Sequence, residues 1–155
     1  SPRVTDDIAL TPLAEASIIA LVREDDALAL RGTIGLAELQ ERRLICFDRE
    51  KSPLGWLIAR AYEQSGLDYA PFMTVPYSIS AAHLLARQGD VILIDSLLTQ
   101  VQRFEGLVRL EVTPELPITI CLMTVRSRPL TRLAARFVEI ITDLDSNREA
   151  IAVAR

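Results

Sequence analysis

The sequence predicts an α/β layer fold built on a mostly parallel sheet. Three observations carry this. Short apolar runs bounded by charges or turn residues recur at 18–22 (IIALV), 44–47 (LICF), 71–75 (PFMTV), 91–94 (VILI) and 117–125 (PITICLMTV), the pattern of buried strands. Segments of helical periodicity separate these runs through the middle of the chain, as in βαβ units. The run VILI holds no polar residue, which fits a strand covered on both faces.

Taken in order, residues 18–22 are a first strand. Residues 24–35 are polar, contain Gly32 and Gly35, and read as loop, with one helical turn over 36–39. The strand 44–47 leads into a charged turn, 48–52. Ser52 then caps a helix and Pro53 suits its first position. Leu54, Leu57, Ile58, Ala61 and Tyr62 recur at helical spacing until Gly66 closes the helix. A strand over 71–75 runs into the turn Pro76-Tyr77-Ser78 and a helix over 79–87 with Ala82, Leu85 and Ala86 inward. Gln88-Gly89-Asp90 stops that helix ahead of the VILI strand. A short helical or irregular segment follows over 96–104, then strands over 106–110 and 117–125, where Thr119 and Thr124 fit β propensity. Pro129 opens a last helix with a wide apolar stripe of Leu130, Leu133, Ala134, Phe137, Ile140, Ile141 and Leu144. Residues 145–155 read as a frayed tail.

Composition bounds the function. The 155 residues are 50% hydrophobic and 25% charged, the mixture of a globular protein with room for one ordinary core or two small lobes. Seventeen basic residues stand against 21 acidic ones, for a formal charge of -4. No segment is basic enough for a phosphate-binding surface; Lys51 is the only lysine. No run reaches the length of a membrane span. Cys46 and Cys121 lie inside apolar runs and match no metal spacing, so two buried free thiols in a cytoplasmic, reducing compartment are expected.

Catalytic constellations do not assemble on paper. The single histidine, His83, is flanked by Ala82 and Leu84 and reads as structural. A triad with Asp95 lacks the G-x-S-x-G elbow. Neither cysteine sits where a helix terminus would lower its pKa, and no H-E-x-x-H, P-loop or G-x-G-x-x-G occurs. No catalytic residue, metal or cofactor is therefore expected. Polar residues do gather just past the ends of apolar strands, where parallel sheets bind ligands. They are Asp48 with Ser52 and Pro53, then Pro76, Tyr77 and Ser78, then Asp95 with Ser96. Backbone N–H groups at the helix starts suit an anion, and the two aspartates suit a cation, so a zwitterion satisfies both. The simpler reading is that Ser52 and Ser78 only cap their helices. Trp56 and Tyr62 cannot both point inward with Leu57 and Ile58 without making their helix apolar all round, so both are expected at a subunit interface.

With those residues in view, the chain resembles the effector-binding domain of the LysR-type transcriptional regulators. The stretches that carry the resemblance are 18–28 ending EDDAL, Glu38-Leu39 before the strand 44–47, Tyr62 to Gly66, and LLARQGDVILID over 84–95. Gln88 and Asp90 stand where glycines are usual and Asp95 where proline is common. Asp95, the following SLLTQ and the segment 104–110 are similar to the branch that senses opines and basic amino acids. The resemblance implies a type II periplasmic-binding-protein-like fold of two lobes with an effector cleft between them. It implies a complete second lobe over 24–117, a partial first lobe in 1–23 and 118–145, crossings at 18–23 and 118–125, and a tail over 146–155. The rest of the first lobe and the DNA-binding domain are then expected upstream. It further implies a small-molecule effector, such as an amino acid or amino-acid conjugate, and a homo-oligomer, dimer or tetramer. DNA contact would come only through the missing N-terminal domain, with no membrane partner. A periplasmic-type solute-binding protein and an enzyme of related fold are the alternatives.

Overall fold

The computed structural model describes residues 7–77 and 90–153, with side chains through residue 142. The helix expected over 79–87, together with Ser78 and His83, lies outside the described residues. In order the chain forms β1 (Ile8–Arg23), a 3-10 turn (Ala27–Leu30), β2 (Thr33–Gly35), α1 (Leu36–Gln40), β3 (Arg43–Cys46), α2 (Pro53–Gln64) and β4 (Met73–Thr74). Then follow β5 (Asp90–Asp95), α3 (Ser96–Val101), β6 (Leu107–Thr113), β7 (Pro117–Val125) and α4 (Arg132–Val153).

The sheet runs β2-β6-β1-β5-β3-β4, and β7 pairs with β1. β3 is parallel to β4 and β5, and β2 is parallel to β6. β1 is antiparallel to both β5 and β6. Along that path every strand but β1 therefore points the same way, and the carboxyl ends of β3, β4 and β5 share one edge. Val91 to Ile94 of β5 are 0% exposed, as an all-apolar strand between two neighbours should be. They pack with Ile18 to Val22 of β1, Leu110 and Val112 of β6, Leu36 and Leu39 of α1, and Ile58, Ala61 and Tyr62 of α2.

Several expected boundaries move. β1 begins at Ile8, not residue 18, because its first half mixes Thr11, Pro12 and Glu15 with apolar residues at half-exposed positions and so shows no apolar run. The expected loop 24–35 hides β2 and a 3-10 turn whose cap is the Asp26 carboxylate, which accepts from Leu28 N–H at 2.9 Å. β4 shrinks to Met73–Thr74 and β6 extends to Thr113. α4 starts at Arg132, not Pro129; the Thr131 hydroxyl accepts from Ala134 N–H at 3.2 Å and so occupies the cap position. It continues to Val153, replacing the expected tail, since no Gly or Pro interrupts residues 143–153.

The chain divides into two compact units, residues 16–118 and residues 1–15 with 119–155. Residues 16–23 belong to the larger unit, because that half of β1 sits between β5 and β6 in the sheet. The passages between units lie inside β1, between Glu15 and Ala16, and inside β7. In the smaller unit the Asp7 carboxylate accepts from Ser127 N–H at 2.8 Å, and Asp7 O accepts from Arg126 N–H at 2.7 Å. The apolar stripe of α4 is largely open, with Leu133 82% and Phe137 57% exposed.

Candidate functional site

The site begins at the carboxyl end of β3. Beyond Cys46 the Asp48 carboxylate accepts from Glu50 N–H at 2.8 Å, and Asp48 O accepts from Ser52 N–H at 3.0 Å. This turn winds directly into α2. Pro53 occupies its first turn, and the Ser52 hydroxyl accepts from Gly55 N–H over a long 3.4 Å. At the far end Gly66 has φ +70°. Leu67 N–H reaches Tyr62 O at 2.9 Å and Gly66 N–H reaches Glu63 O at 3.1 Å, the paired bonds of a Schellman ending. Beside the turn, β4 extends the sheet through Val75 N–H on Cys46 O at 2.9 Å. The Tyr69 hydroxyl donates to Phe47 O at 2.6 Å and fixes the same segment from behind.

Between the turn and β4 lies a pocket of about 370 Å³ lined by Asp48, Lys51, Ser52, Thr74, Val75, Pro76 and Tyr77. Four of the residues singled out from the sequence, Asp48, Ser52, Pro76 and Tyr77, meet in it. Lys51 was not foreseen. Its ammonium stands 3.7 Å from Asp48 Oδ2 and is 84% exposed. At that distance the two charges see each other without a tight hydrogen bond, so both remain able to take a ligand. Pro53 holds the helix start and does not line the pocket. Asp95 also stands apart: its carboxylate accepts from Leu98 N–H at 3.1 Å as the cap of α3. Ser96 is buried, and its hydroxyl accepts from Ser17 N–H at 3.1 Å.

The two aromatic residues of α2 part company. Trp56 is 44% exposed, with the Arg60 guanidinium 5.2 Å from its ring centre. Tyr62 is 1% exposed and packs edge-on against Tyr69 at 5.5 Å. The expectation that Tyr62 lies at an interface is corrected. Four residues after Ile58, it falls on the helix face that meets the sheet, whereas Trp56 and Arg60 share another face. Its hydroxyl has no hydrogen-bond partner among the described residues.

Cys46 is fully buried and Cys121 only partly so, correcting the expectation of two buried thiols. Burial pushes the Cys46 thiol up to about 11, and the neighbouring Tyr69 hydroxyl offsets only part of that. Burial likewise raises Tyr62 and Tyr69. A raised thiol pKa favours the protonated form in the fold, so its stabilising contribution is present below pH 9.0 and is lost as pH rises toward 11. At pH 8, iodoacetamide should therefore label Cys121 first and Cys46 only on unfolding; mass spectrometry showing equal labelling of both in the native protein would overturn this. No group of three or more His, Cys, Asp or Glu suited to a metal occurs among the described residues, and no described helix is long and apolar enough to cross a membrane.

The family model of the LysR substrate binding domain matches residues 1–145. The chain belongs to this family. Solved structures agree on the fold. The LysR-family transcriptional regulator HinK from Pseudomonas aeruginosa superposes with a TM-score of 0.77 at 16% identity, covering 93% of this chain and 50% of that one. The regulatory domain of CcmR from Synechocystis PCC6803, in complex with 2-PG, gives 0.79 at 12% identity, covering 95% and 71%. The effector-binding domain of QuiR, in complex with shikimate, gives 0.78 at 16% identity, covering 95% and 69%. This LysR-family domain thus spans half the length of HinK. No curated protein matches it.

Proposed function

We propose that this LysR-family domain senses a small zwitterionic effector and couples its binding to a DNA-binding domain outside this chain. The observation that carries the reading is the pocket that gathers Asp48, Lys51, Ser52 and Tyr77 at the carboxyl end of parallel strands. Ligands of open α/β sheets collect at such ends. The pocket offers one carboxylate for a cationic group and one ammonium for an anionic group. The start of α2 adds a favourable potential for the anion. Tyr77 supplies a flat apolar wall and a hydroxyl, which suits the chain of a basic amino acid or of an amino-acid conjugate such as an opine. CcmR and QuiR, solved with 2-PG and shikimate, support small-molecule binding in this fold and leave the effector's chemistry to the residues of this pocket.

Calorimetric titration of the chain with arginine and with succinate tests the charge assignment. Arginine should bind the more tightly. Asp48→Asn should weaken arginine about tenfold, the loss of roughly 1.4 kcal/mol, and Lys51→Ala should weaken both ligands. Unchanged affinity in both variants would remove the pocket from the effector site.

A further inference from the structure

A second groove lies at the opposite edge of the same sheet, where β6 begins. β1 and β6 run antiparallel there, with Leu21 opposite Arg109 and Arg23 opposite Leu107. α3 and the segment after it lean over this end. The groove encloses about 260 Å³ and is lined by Leu21, Thr99, Gln102, Arg103, Phe104, Leu107 and Arg109. Leu21, Phe104 and Leu107 supply its apolar surface, and the remaining lining residues are polar or cationic.

We propose that this groove is a second ligand site, specific for a small monocarboxylate with a short apolar body. Two guanidinium groups converge on it in a chain whose formal charge is -4. Arg103 has no ion pair among the described residues. Arg109 turns its Nε and Nη2 to Glu111 at 2.9 and 2.7 Å, which leaves its remaining nitrogen for a ligand. A planar guanidinium fork matches a carboxylate in shape as well as charge. No acidic residue lines the groove itself. Glu24 and Glu105 line the adjoining pocket, which shares Arg103, Phe104 and Leu107. Those carboxylates would repel a second negative group on the far end of a ligand, so a monocarboxylate fits better than a dicarboxylate. The apolar floor takes the rest of the molecule out of water. The site is independent of the pocket at Lys51, because the two lie at opposite edges of the sheet.

The test is a titration of the isotopically labelled chain with butyrate, followed by backbone amide shifts in NMR. Inorganic phosphate serves as an anion without an apolar body, and butylammonium as the same body with the opposite charge. Butyrate should give saturable shifts centred on residues 99–107, with phosphate weaker and butylammonium silent there. Arg103→Gln should raise the dissociation constant for butyrate about tenfold, Arg103→Lys should restore part of the affinity, and Lys51→Ala should leave it unchanged. Arg103 is exposed, so both of its variants should keep the fold. Shifts centred on residues 48–52, an equal response to butylammonium, or an unchanged constant in Arg103→Gln would overturn the proposal.

Discussion

Gly55→Ala is expected to lower stability by about 1–3 kcal/mol, as overpacking does, and to abolish ligand binding at the Lys51 pocket. A Cβ at position 55 would sit 2.4 Å from Asp48 O, 2.7 Å from Asp48 C and 2.9 Å from Phe47 O. All three are backbone atoms, so no side chain can swing aside to make room. Either the first turn of α2 or the segment at Phe47-Asp48 has to move, and both carry pocket residues. Alanine's better helix propensity, worth roughly 1 kcal/mol, opposes this and is too small to cancel it. Gly66→Ala is the control. There a Cβ meets nothing within 4 Å, and the strain comes only from φ +70°, so it should cost about 1 kcal/mol without touching the pocket. Urea denaturation read beside calorimetry separates the two. A Gly55→Ala protein as stable as the parent and equally able to bind would mean that the close approach of α2 to the turn has no role in shaping the site.

The contrast between Gly55 and Gly66 also shows what a sequence discloses. Gly66 is legible because the signal is local: an apolar helical period that stops at a glycine. Ser52-Pro53 is legible for the same reason, and the VILI strand because burial on two faces strips it of polar residues. Gly55 is not legible, since its need arises from a backbone met across a tertiary contact. The outer half of β1 is lost because its exposed positions carry Thr11 and Glu15. The antiparallel course of β1 is lost because apolar content says nothing of direction. That Asp48, Ser52, Pro76 and Tyr77 would gather at one pocket was legible from the rule that ligands collect past parallel strands. The same signal also marks Asp95, where the polar residue after a strand caps a helix. Lys51 looks like one more solvated charge in the run 48–51 until the fold sets it beside Asp48. Residue type alone points Tyr62 to an interface, where helical phase decides, and phase follows from which face of α2 meets the core.

Asp26→Ala is expected to destabilise the larger unit by about 2–3 kcal/mol, for two reasons that separate experimentally. The Asp26 side chain is 3% exposed, and Arg42, its ion-pair partner, 27%. Its other oxygen accepts from Leu28 N–H at 2.9 Å and caps the 3-10 turn. Losing a cap costs about 0.5–2 kcal/mol. Losing one partner of a fully buried ion pair costs about 3–5 kcal/mol because the other charge is stranded. Arg42 is not fully buried, so water reaches its guanidinium and the stranding contribution falls to roughly 1–2 kcal/mol. Asp26→Asn keeps an oxygen for Leu28 N–H while removing the charge, and should therefore lose only the second part. Arg42→Met removes the cation and leaves the cap, and added to Asp26→Asn it should cost little more than Asp26→Asn alone. Urea denaturation of the two single variants and the double variant closes the cycle. Strict additivity of Asp26→Asn and Arg42→Met would show that the pair contributes nothing to stability.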